Sequence, residues 1–586
     1  MSLITSLISL EMDYSKFNKS FKPCFSNFSL CFSKEYPGAQ QLVLHYNRAT
    51  RSLWNEFIKL PGEVKSADQK FDSVKIITDC AEASFTCPME DMYFMTAKSP
   101  EPVKCFADPD KMLGDNWIEE KYSKSTIIRG YTKNRDDRDP DPQTAFMLGV
   151  KLLKGEFKYR KAGVFIKPDE NGEIIAVIVP SVMNVSAKDT KKKLDSAPAS
   201  FEEARDMLRA WAQYCIGDKL EMPKDARAKD TFLLAVSGLL LNLTKAPGEL
   251  AGRISSYPSR GGYPTHFLWD SAFQNLGYEL MNTDLARDSI LQLTENIRED
   301  GRIAQFLCST WQRPKHSQPA LTGWAALRYL DWTNCTDKNL MKHLFEALDA
   351  NNNWWMNQRI TKYGLIWCDD GLETGQDNSP RLDSGAILAL DMNSYVVNQM
   401  RCTAEIGRRI GLSGKAKKWD EAADRLAQKM VDYMYDEEKN FFFDALAETG
   451  EKRPLVTSSA LIPLWCGVPL PEEKIDAMIR EWMICPERLF GKIPFPCVAY
   501  DQPEYDPADW WRGPTWMSEA WLLLEVLKKY GFDEEYRIAM ERFYEMMIAD
   551  GQLHELFNSQ TGEGMGNPEQ GWTAATFIRI CYELRK

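Results

Sequence analysis

Hydrophobic and polar residues alternate along several short segments near the start of the chain. Leu42, Leu44 and Tyr46, for example, take every second position of one such segment. A period of two places alternate side chains on one face of a strand, so each segment is predicted to be a half-buried β-strand. Several short strands in succession are typical of a β-sandwich. We therefore predict a β-rich, sandwich-like N-terminal domain over residues 1–195.

A turn sequence separates two of these predicted strands. Residues 163–168 and 173–179 flank the sequence Asp-Glu-Asn-Gly at 169–172. An Asn-Gly turn between two strands predicts a β-hairpin. Residues 133–142 are charged and contain proline, which indicates a loop.

The pattern changes from strand-like to helical near residue 196. Ser200 followed by Glu203 forms a capping box, the signature of a helix start. Apolar residues then continue at helical spacing through Trp211. We predict that residues 196–225 form a helical linker between two domains.

Helical periodicity dominates residues 226–586. About twelve segments resemble one whose apolar residues advance by three or four positions: Trp419, Ala422, Leu426, Met430 and Tyr433. No tight sequence repeat indicates a solenoid. Twelve helices in one compact unit fit six helical hairpins closed into a double-layered (α/α)6 barrel, and periodicity alone also permits an irregular helical domain. The predicted fold class is mainly α, with a barrel that follows the β-rich domain.

Composition narrows the functional class. At 586 residues the chain is long enough for two domains, and its net charge of −12 without a basic stripe argues against nucleic-acid binding. No stretch approaches about 20 apolar residues, so no membrane span is expected. The N-terminal residues lack the basic start and cleavage site of a signal peptide. The 14 cysteines lack metal-site spacing and suggest a reducing compartment, so we predict a cytoplasmic protein.

One loop carries a candidate proton donor. Hydrolysis of an acetal requires a protonated acid beside the leaving oxygen and, for inversion, a carboxylate that activates water on the opposite face. Asp377 lies in a loop where Gly375 permits close backbone approach and Pro380 fixes a turn. The same pattern also describes a loop in which Asp377 or Ser379 caps the next helix, and Glu373 is a competing acid.

A second carboxyl group lies far along the chain. Glu555 is flanked by Leu553 and Leu556, and partial desolvation there is expected to raise its pKa. The alternative is an ordinary acid in a half-exposed extended segment. Between the two acids in sequence, residues 510–516 place three tryptophans around Arg512. This arginine either holds a substrate hydroxyl or carboxylate or pairs with a neighbouring acid.

Other chemistries have weaker support in the sequence. The five histidines include no pair at the spacing of zinc ligands on a helix. The chain also has no glycine-rich phosphate loop and no nucleophile elbow. We therefore predict no catalytic metal.

The motifs together resemble glycoside hydrolase family 63, in particular its mannosylglycerate-hydrolase-like branch, with kinship to the family 37 trehalases. Five elements occur in the family's order across the helical half of the chain. They are Gly261-Gly262-Tyr263 with Phe267-Leu268-Trp269-Asp270; Ser317-Gln318-Pro319; residues 375–381; Trp511-Arg512-Gly513-Pro514; and Glu555 with Asn558, Thr561-Gly562-Glu563-Gly564 and Gly571-Trp572.

The resemblance implies an (α/α)6 barrel and an inverting mechanism, with Asp377 as general acid and Glu555 as general base. The residues that it implies for substrate binding are Tyr263, Trp269, Asp270, Gln318, Arg381, Trp511, Arg512 and Trp572, together with Gln570 near the aglycone if glycerate is the leaving group. It calls for no organic cofactor, and it allows a structural Ca²⁺ for which the sequence shows no ligand set. The expected partner is a small carbohydrate, such as an α-linked disaccharide or a glucosyl- or mannosyl-glycerate.

Two residues depart from the family pattern. Gln376 stands where relatives usually have Trp or Met before the acid, and Leu556 stands where an aromatic residue commonly follows the base. Both positions are expected to line or support the pocket and so to affect substrate choice. The alternatives are an inactive carbohydrate-binding protein on the same fold, a trehalase or other α-glucosidase, and a phosphorylase on the same barrel.

Overall fold

The computed structural model describes most of the chain. The described ranges are residues 3–9, 20–21, 28–32, 42–46, 52–89, 92–107, 118–133, 143–160, 163–182, 186–245, 248–259, 263, 265–308 and 314–585.

The N-terminal part contains two antiparallel sheets. Within the described ranges, its strands are β1 (Ser20–Phe21), β2 (Phe28–Phe32), β3 (Leu42–Tyr46), β4 (Ser52–Lys59), β5 (Val64–Lys70), β6 (Ser73–Thr78), β7 (Glu82–Met89), β8 (Met92–Lys98), β9 (Val103–Ala107), β10 (Ile118–Lys121), β11 (Ser125–Lys133), β12 (Gln143–Lys154), β13 (Glu156–Arg160), β14 (Gly163–Lys167) and β15 (Glu173–Val182). One sheet has the order β1-β2-β3-β4-β9-β14-β13 and the other β10-β11-β12-β15-β8-β7-β6-β5. Ile58 and Val164 of the first sheet share a buried core with Phe85 and Ile178 of the second, so the sheets pack face to face.

The predicted hairpin at residues 169–172 is wrong. β14 pairs with β13 and β9, whereas β15 pairs with β12 and β8, so the turn carries the chain from one sheet to the other. The turn residues determine only the reversal of the chain. The apolar face of each strand determines its pairing partners, and the partners of β14 and β15 lie in different sheets. Residues 134–142 of the predicted loop lie outside the described residues.

Three helices belong to this part of the chain: α1 (Leu3–Ser9), α2 (Ala187–Asp195) and α3 (Phe201–Ile216). The predicted cap of α3 is confirmed, because the Ser200 hydroxyl accepts a hydrogen bond from the backbone N–H of Glu203 at 3.1 Å. Helix α3 packs against β7 and β8 on one side and α4 of the next domain on the other. Asp72, fully buried on the second sheet, accepts hydrogen bonds from Arg205 and Arg209 of α3. A buried carboxylate held by two arginines fixes α3 to the sheet.

The rest of the chain is mainly helical. Within the described residues, the helices are α4 (Lys229–Leu241), α5 (Leu268–Met281), α6 (Thr283–Thr294), α7 (Thr322–Trp332), α8 (Lys338–Gln358), the single turn α9 (Gly371–Thr374), α10 (Leu390–Arg409), α11 (Ser413–Met434), α12 (Ile462–Cys466), α13 (Glu472–Met478), α14 (Met517–Lys529), α15 (Asp533–Asp550) and α16 (Gly571–Glu583). Two-residue strands lie in the connections: β16 (Leu243–Thr244), β17 (Ser255–Ser256), β18 (His266–Phe267), β19 (Phe306–Leu307), β20 (Trp367–Cys368), β21 (Ile387–Leu388), β22 (Tyr435–Asp436), β23 (Phe441–Phe442), β24 (Ala445–Leu446), β25 (Leu556–Phe557) and β26 (Gly564–Met565).

Six of these helices form a ring. α5, α7, α10, α12, α14 and α16 each contact the next, and α16 contacts α5. Burial separates this inner set from the helices that alternate with it along the chain. All 14 residues of α5 are buried, whereas α11 buries seven of its 22 residues on one face, including Trp419, Leu426 and Met430. The predicted helical spacing of that segment is therefore confirmed, and α11 belongs to an outer layer.

Candidate active site

Several residues of the candidate site lie where the inner helices begin. Asp270 is in the first turn of α5, Trp516 directly precedes α14, and Gln570 directly precedes α16. Inner and outer helices alternate along the chain, so the inner helices run in the same direction and begin at the same end of the domain. The loops at that end carry the polar and aromatic residues, as is common for sites supported by a rigid scaffold.

Glu555 is a desolvated carboxyl group between α15 and β25. Only 3% of its surface is exposed, which excludes the half-exposed alternative. Its Oε2 accepts hydrogen bonds from the backbone N–H and the side-chain Nδ2 of Asn567 at 3.1 and 2.9 Å, and the phenol O–H of Tyr263 donates to the same carboxylate. Burial raises the pKa of the Glu555 carboxyl, and the charge of Asp377 also raises it. The hydrogen bonds from Asn567 and Tyr263 lower this pKa, but its net shift is upward.

Asp377 lies in the turn that follows α9, with its side chain open to solvent. The turn is tight, because a Cβ on Gly371 would lie 2.4 Å from the carbonyl oxygen of Asp377. Gly375 has a φ of +77°, and a Cβ there would lie 2.6 Å from the Trp269 ring. The surrounding protein raises the pKa of the Asp377 carboxyl, and the charge of Asp370 adds to this shift. The loop thus packs tightly against Trp269 and presents an acid that holds its proton more strongly than usual.

Three carboxyl groups and one phenol lie within electrostatic range of one another. Burial raises the pKa of Asp270, and the charges of Glu555 and Asp377 raise it further. Burial also raises the pKa of Tyr263, as do the charges of Glu555, Asp270 and Asp377. Coulombic interactions weaken with distance, so the charges that act on Tyr263 and Asp270 come from side chains within electrostatic range. The charge of Asp377 also raises the pKa of Glu555, although 178 positions separate the two residues in the sequence.

Four tryptophans form a wall beside the carboxyl groups. The rings of Trp511 and Trp516 stack 3.8 Å apart with an interplanar angle of 3°. Trp269 lies 6.0 Å from Trp511 and 5.7 Å from Trp572, and Trp572 lies 5.8 Å from Trp516. None of the four is more than 4% exposed. Trp269, Trp511 and Trp572 therefore present little exposed ring surface for the predicted contacts with a sugar.

Polar groups near the carboxyl groups and the tryptophans also belong to the candidate site. The indole N–H of Trp572 donates to the backbone carbonyl of Glu555 at 3.0 Å, and the backbone N–H of Trp269 lies 3.5 Å from Oε1 of Gln318. Gln570 is fully buried, and neither its Oε1 nor its Nε2 has a hydrogen-bond partner within the described part of the chain. Buried amides are normally paired, so the amide of Gln570 is available to a polar ligand.

Arg381 is placed differently from the prediction. It is 2% exposed and donates hydrogen bonds to Asp391 at 2.8 and 2.7 Å, to Asp444 at 2.6 and 3.0 Å, and to Oε1 of Gln376 at 3.0 Å. These bonds use all five N–H groups of a guanidinium. No donor is left for a sugar, so the predicted substrate contact of Arg381 is replaced by a role in holding the acid loop from behind.

Arg512 pairs with a neighbouring acid, which is one of the two outcomes expected for it. Its Nη2 lies 2.6 Å from Asp383, and its side chain is 27% exposed. Asn378, the residue after the candidate acid, accepts a hydrogen bond from the backbone N–H of Trp511 and donates one to Asp509, both at 2.8 Å. These contacts attach the acid loop to the tryptophan-rich loop.

Glu373, the competing acid, is fully buried behind the loop. It forms an ion pair with Arg359 at 3.1 Å and accepts the backbone N–H of Ser317 at 3.3 Å. Burial raises the pKa of Glu373, whereas Arg359 lowers it. Ser379 precedes a 3-10 turn without a side-chain cap, so the capping alternative is not observed for that residue. Asp377 remains the candidate acid of this loop.

Sequence reasoning misses Asn567 as a partner of Glu555. One signal for it exists: Gly562, Gly564 and Gly566 recur at every second position before Asn567. Glycines at this density indicate a chain that bends and approaches other groups closely. The pattern shows that the chain reverses, but not that it returns to the carboxylate.

Known proteins share both the sequence pattern and the fold. The mannosylglycerate hydrolase MGH1-like glycoside hydrolase domain matches residues 263–573, more than half of the chain. The chain belongs to this family. Mannosylglycerate hydrolase MGH2 of Selaginella moellendorffii is 26% identical over 415 residues, covering 56% of this chain and 82% of the relative. Glucosylglycerate hydrolase of Mycolicibacterium hassiacum is 30% identical over 143 residues, covering 23% of this chain and 30% of the relative.

A solved structure supports the same fold. The family 63 mannosylglycerate hydrolase from Thermus thermophilus, in complex with Tris and D-glycerate, superposes with a TM-score of 0.53 at 19% identity. The superposition covers 60% of this chain and 99% of that one. The predicted resemblance to family 63 is therefore confirmed, and the protein is a glycoside hydrolase.

The two departures from the family pattern lie behind the site. Gln376 is 3% exposed, and its amide bonds Arg381, Ser459 and Glu519. Leu556 is fully buried in β25. Both residues are therefore buried beneath the segments that carry the candidate acid and the candidate base.

Across the described ranges, His, Cys, Asp and Glu side chains form no group of three or more placed to hold a metal ion. None of the helices in the same ranges combines the length and apolarity that a bilayer span needs.

Proposed function

We propose that this protein is an inverting glycoside hydrolase that cleaves a short α-glycoside, with Asp377 as general acid and Glu555 as general base. In this proposal the twelve described helices α4–α16, without the single turn α9, form an (α/α)6 barrel with the site at one end. The observation that carries the proposal is that the charges of Asp377, Glu555 and Asp270 all act on the one phenol of Tyr263. Membership of the MGH1-like family supports it.

The partners of the two carboxyl groups indicate which one holds the proton. Glu555 accepts hydrogen bonds from Asn567 and Tyr263, and such donors favour an ionised carboxylate. The surroundings of Asp377 and the charge of Asp370 disfavour ionisation there. Two interacting carboxyl groups titrate as a coupled pair. The net shift of the pKa is upward at both carboxyl groups, but only Glu555 has hydrogen-bond donors that oppose it, and on this ground we propose that Asp377 holds the proton.

The proposed reaction is a single displacement. Asp377 gives its proton to the glycosidic oxygen as that bond breaks. Glu555 removes a proton from a water molecule, and the water oxygen bonds to the anomeric carbon from the opposite face. The acceptor is Oε1 of Glu555, because Oε2 is bonded to Asn567. Space for the water requires roughly 6.5–9.5 Å between the two carboxyl groups.

The relatives direct the choice of substrate. They include hydrolases of mannosylglycerate and glucosylglycerate, and one solved relative was crystallised with D-glycerate. We propose a substrate of this size, either a mannosyl- or glucosyl-glycerate or an α-linked disaccharide such as trehalose. The buried amide of Gln570 would then bond the aglycone.

A substrate panel tests this proposal. The protein is incubated with mannosylglycerate, glucosylglycerate, trehalose and other α-linked disaccharides, with and without inorganic phosphate, and the free sugar is measured. We expect at least one substrate to be hydrolysed without phosphate, and Glu555→Gln, prepared in parallel, to release almost none. Release that requires phosphate would instead identify a phosphorylase. Binding by calorimetry without release would identify a carbohydrate-binding protein, and either result would refute the proposal.

A further inference from the structure

The chain that follows Glu555 folds back over it. β25 pairs with β26 in an antiparallel register that places Leu556 opposite Met565. The next residue, Gly566, has a φ of +75°, a conformation that residues with a side chain rarely adopt. This turn at the end of the hairpin brings Asn567 against the carboxylate of Glu555.

Two donors of Asn567 converge on one oxygen atom. The backbone N–H and the side-chain Nδ2 lie 3.1 and 2.9 Å from Oε2 of Glu555. Gly566 also has no room for a side chain on this side, because a Cβ on that residue would lie 2.8 Å from the same oxygen. Two hydrogen bonds to one oxygen restrict the rotation of the carboxylate and use both lone pairs of Oε2.

We propose that Asn567 is a positioning residue for the general base. The proposal rests on the function proposed above, in which Glu555 activates water. Asn567 holds Oε2 and leaves Oε1 to accept the proton of the attacking water. Its donors also stabilise the ionised carboxylate, which is the form that a base requires. Asn567 acts through Glu555 and does not take part in bond breaking.

Other groups around Glu555 also affect its ionisation. Tyr263 donates a hydrogen bond to it, and Asp377 and Asp270 are the acids that interact with it electrostatically. The neighbouring His554 has its Nδ1 bonded to Asp550 at 2.6 Å. Substitutions at Asn567 leave all of these groups in place. A change in the pH dependence of an Asn567 variant therefore reports the lost contact.

The test compares the pH dependence of kcat/KM in the wild type, Asn567→Ala and Asn567→Asp. The first variant loses one donor and keeps the backbone N–H. The loss of one hydrogen bond to a charged group corresponds to roughly one pH unit, so we expect the acid limb to move about one unit to higher pH. Asn567→Asp puts a second carboxylate against Oε2, and its acid limb is expected to move further. KM should change little, because Asn567 acts through the base.

Asn558 provides the matched control in the same hairpin. Its Oδ1 accepts backbone hydrogen bonds from Gln560 and Thr561, both at 3.0 Å, so Asn558→Ala disturbs the turn without removing a contact to Glu555. The acid limb of the kcat/KM profile of Asn558→Ala should stay at the wild-type pH. An unmoved limb in Asn567→Ala, or an equal shift in Asn558→Ala, would overturn the positioning role even if kcat fell. If Glu555→Gln kept its activity, the proposed function itself would fail, which is a separate outcome.

Discussion

Asp377→Asn and Glu555→Gln are each expected to lower kcat by about 10²–10⁴, the usual contribution of one general acid or base. An amide at position 377 has no proton of suitable acidity to give, and an amide at 555 cannot take one from water. The fold should be kept, because Asp377 is open to solvent and the amide oxygen of Gln at 555 can still accept the hydrogen bonds of Asn567. Steady-state kinetics together with circular dichroism spectra measure both properties.

A substrate with a better leaving group distinguishes the general acid from the general base. A nitrophenyl glycoside releases a stable anion and needs little protonation, so it should restore most of the activity of Asp377→Asn but none of that of Glu555→Gln. Glu563→Gln is the control, because Glu563 is an exposed acid in the hairpin that follows the base. Its kcat should remain within about twofold of the wild type. Equal recovery of both amide variants, or a Glu555→Gln enzyme with wild-type kcat, would contradict the assignment of roles.

Arg381→Met is expected to destabilise the protein by about 3–5 kcal/mol, the cost of removing one member of a buried ion pair. Asp391 and Asp444 would remain buried beside an apolar side chain, with Asp391 fully enclosed. Gln376 would also lose its donor. Urea denaturation followed by the helical signal in circular dichroism measures the change in the free energy of unfolding.

Arg408→Met is the matched control for that comparison. Arg408 also pairs with two acids, Glu405 and Asp420, but its side chain is 46% exposed. Exposed ion pairs contribute only about 0–1 kcal/mol, so this variant should unfold close to the wild type. Adding Asp391→Asn and Asp444→Asn to Arg381→Met should recover part of the loss, because the amides carry no charge. Equal costs for the two arginine variants would contradict the buried network.

Features that depend on neighbouring residues could be predicted from the sequence. Trp419, Leu426 and Met430 lie on one face of a helix because their spacing matches the helical repeat. Ser200 caps its helix because its partner is three residues away. Such contacts form within one element, so the local pattern contains the necessary information.

Features that depend on distant partners could not be predicted in this way. The turn at 169–172 is visible in the sequence, but the sheet that each flanking strand joins depends on strands far along the chain. Arg381 lies close to the acid in sequence, yet its partner Asp444 is 63 positions away. The motif gives the position of Arg381 along the chain and not the direction of its side chain.

The candidate site shows the same division. The family resemblance selects Asp377 and Glu555 from 84 acidic residues, which no local pattern can do. The hydrogen bonds from Asn567 could not be predicted from the sequence. Asn567 follows the base by 12 positions, and the chain must reverse twice to reach it. The close approach of Trp269, in the first turn of α5, to Gly375, in the acid loop, was likewise not visible in the sequence.

Proton NMR spectroscopy of the first sugar released from an α-glycoside tests the central claim most directly. The two carboxyl groups are proposed to act on opposite faces of the sugar in one displacement, so the β-anomer should appear first and equilibrate with the α-anomer only later. Spectra recorded within the first minutes, at enzyme concentrations that outrun mutarotation, distinguish the two anomers. Initial release of the α-anomer would show retention through a second displacement and would contradict the roles assigned to Asp377 and Glu555.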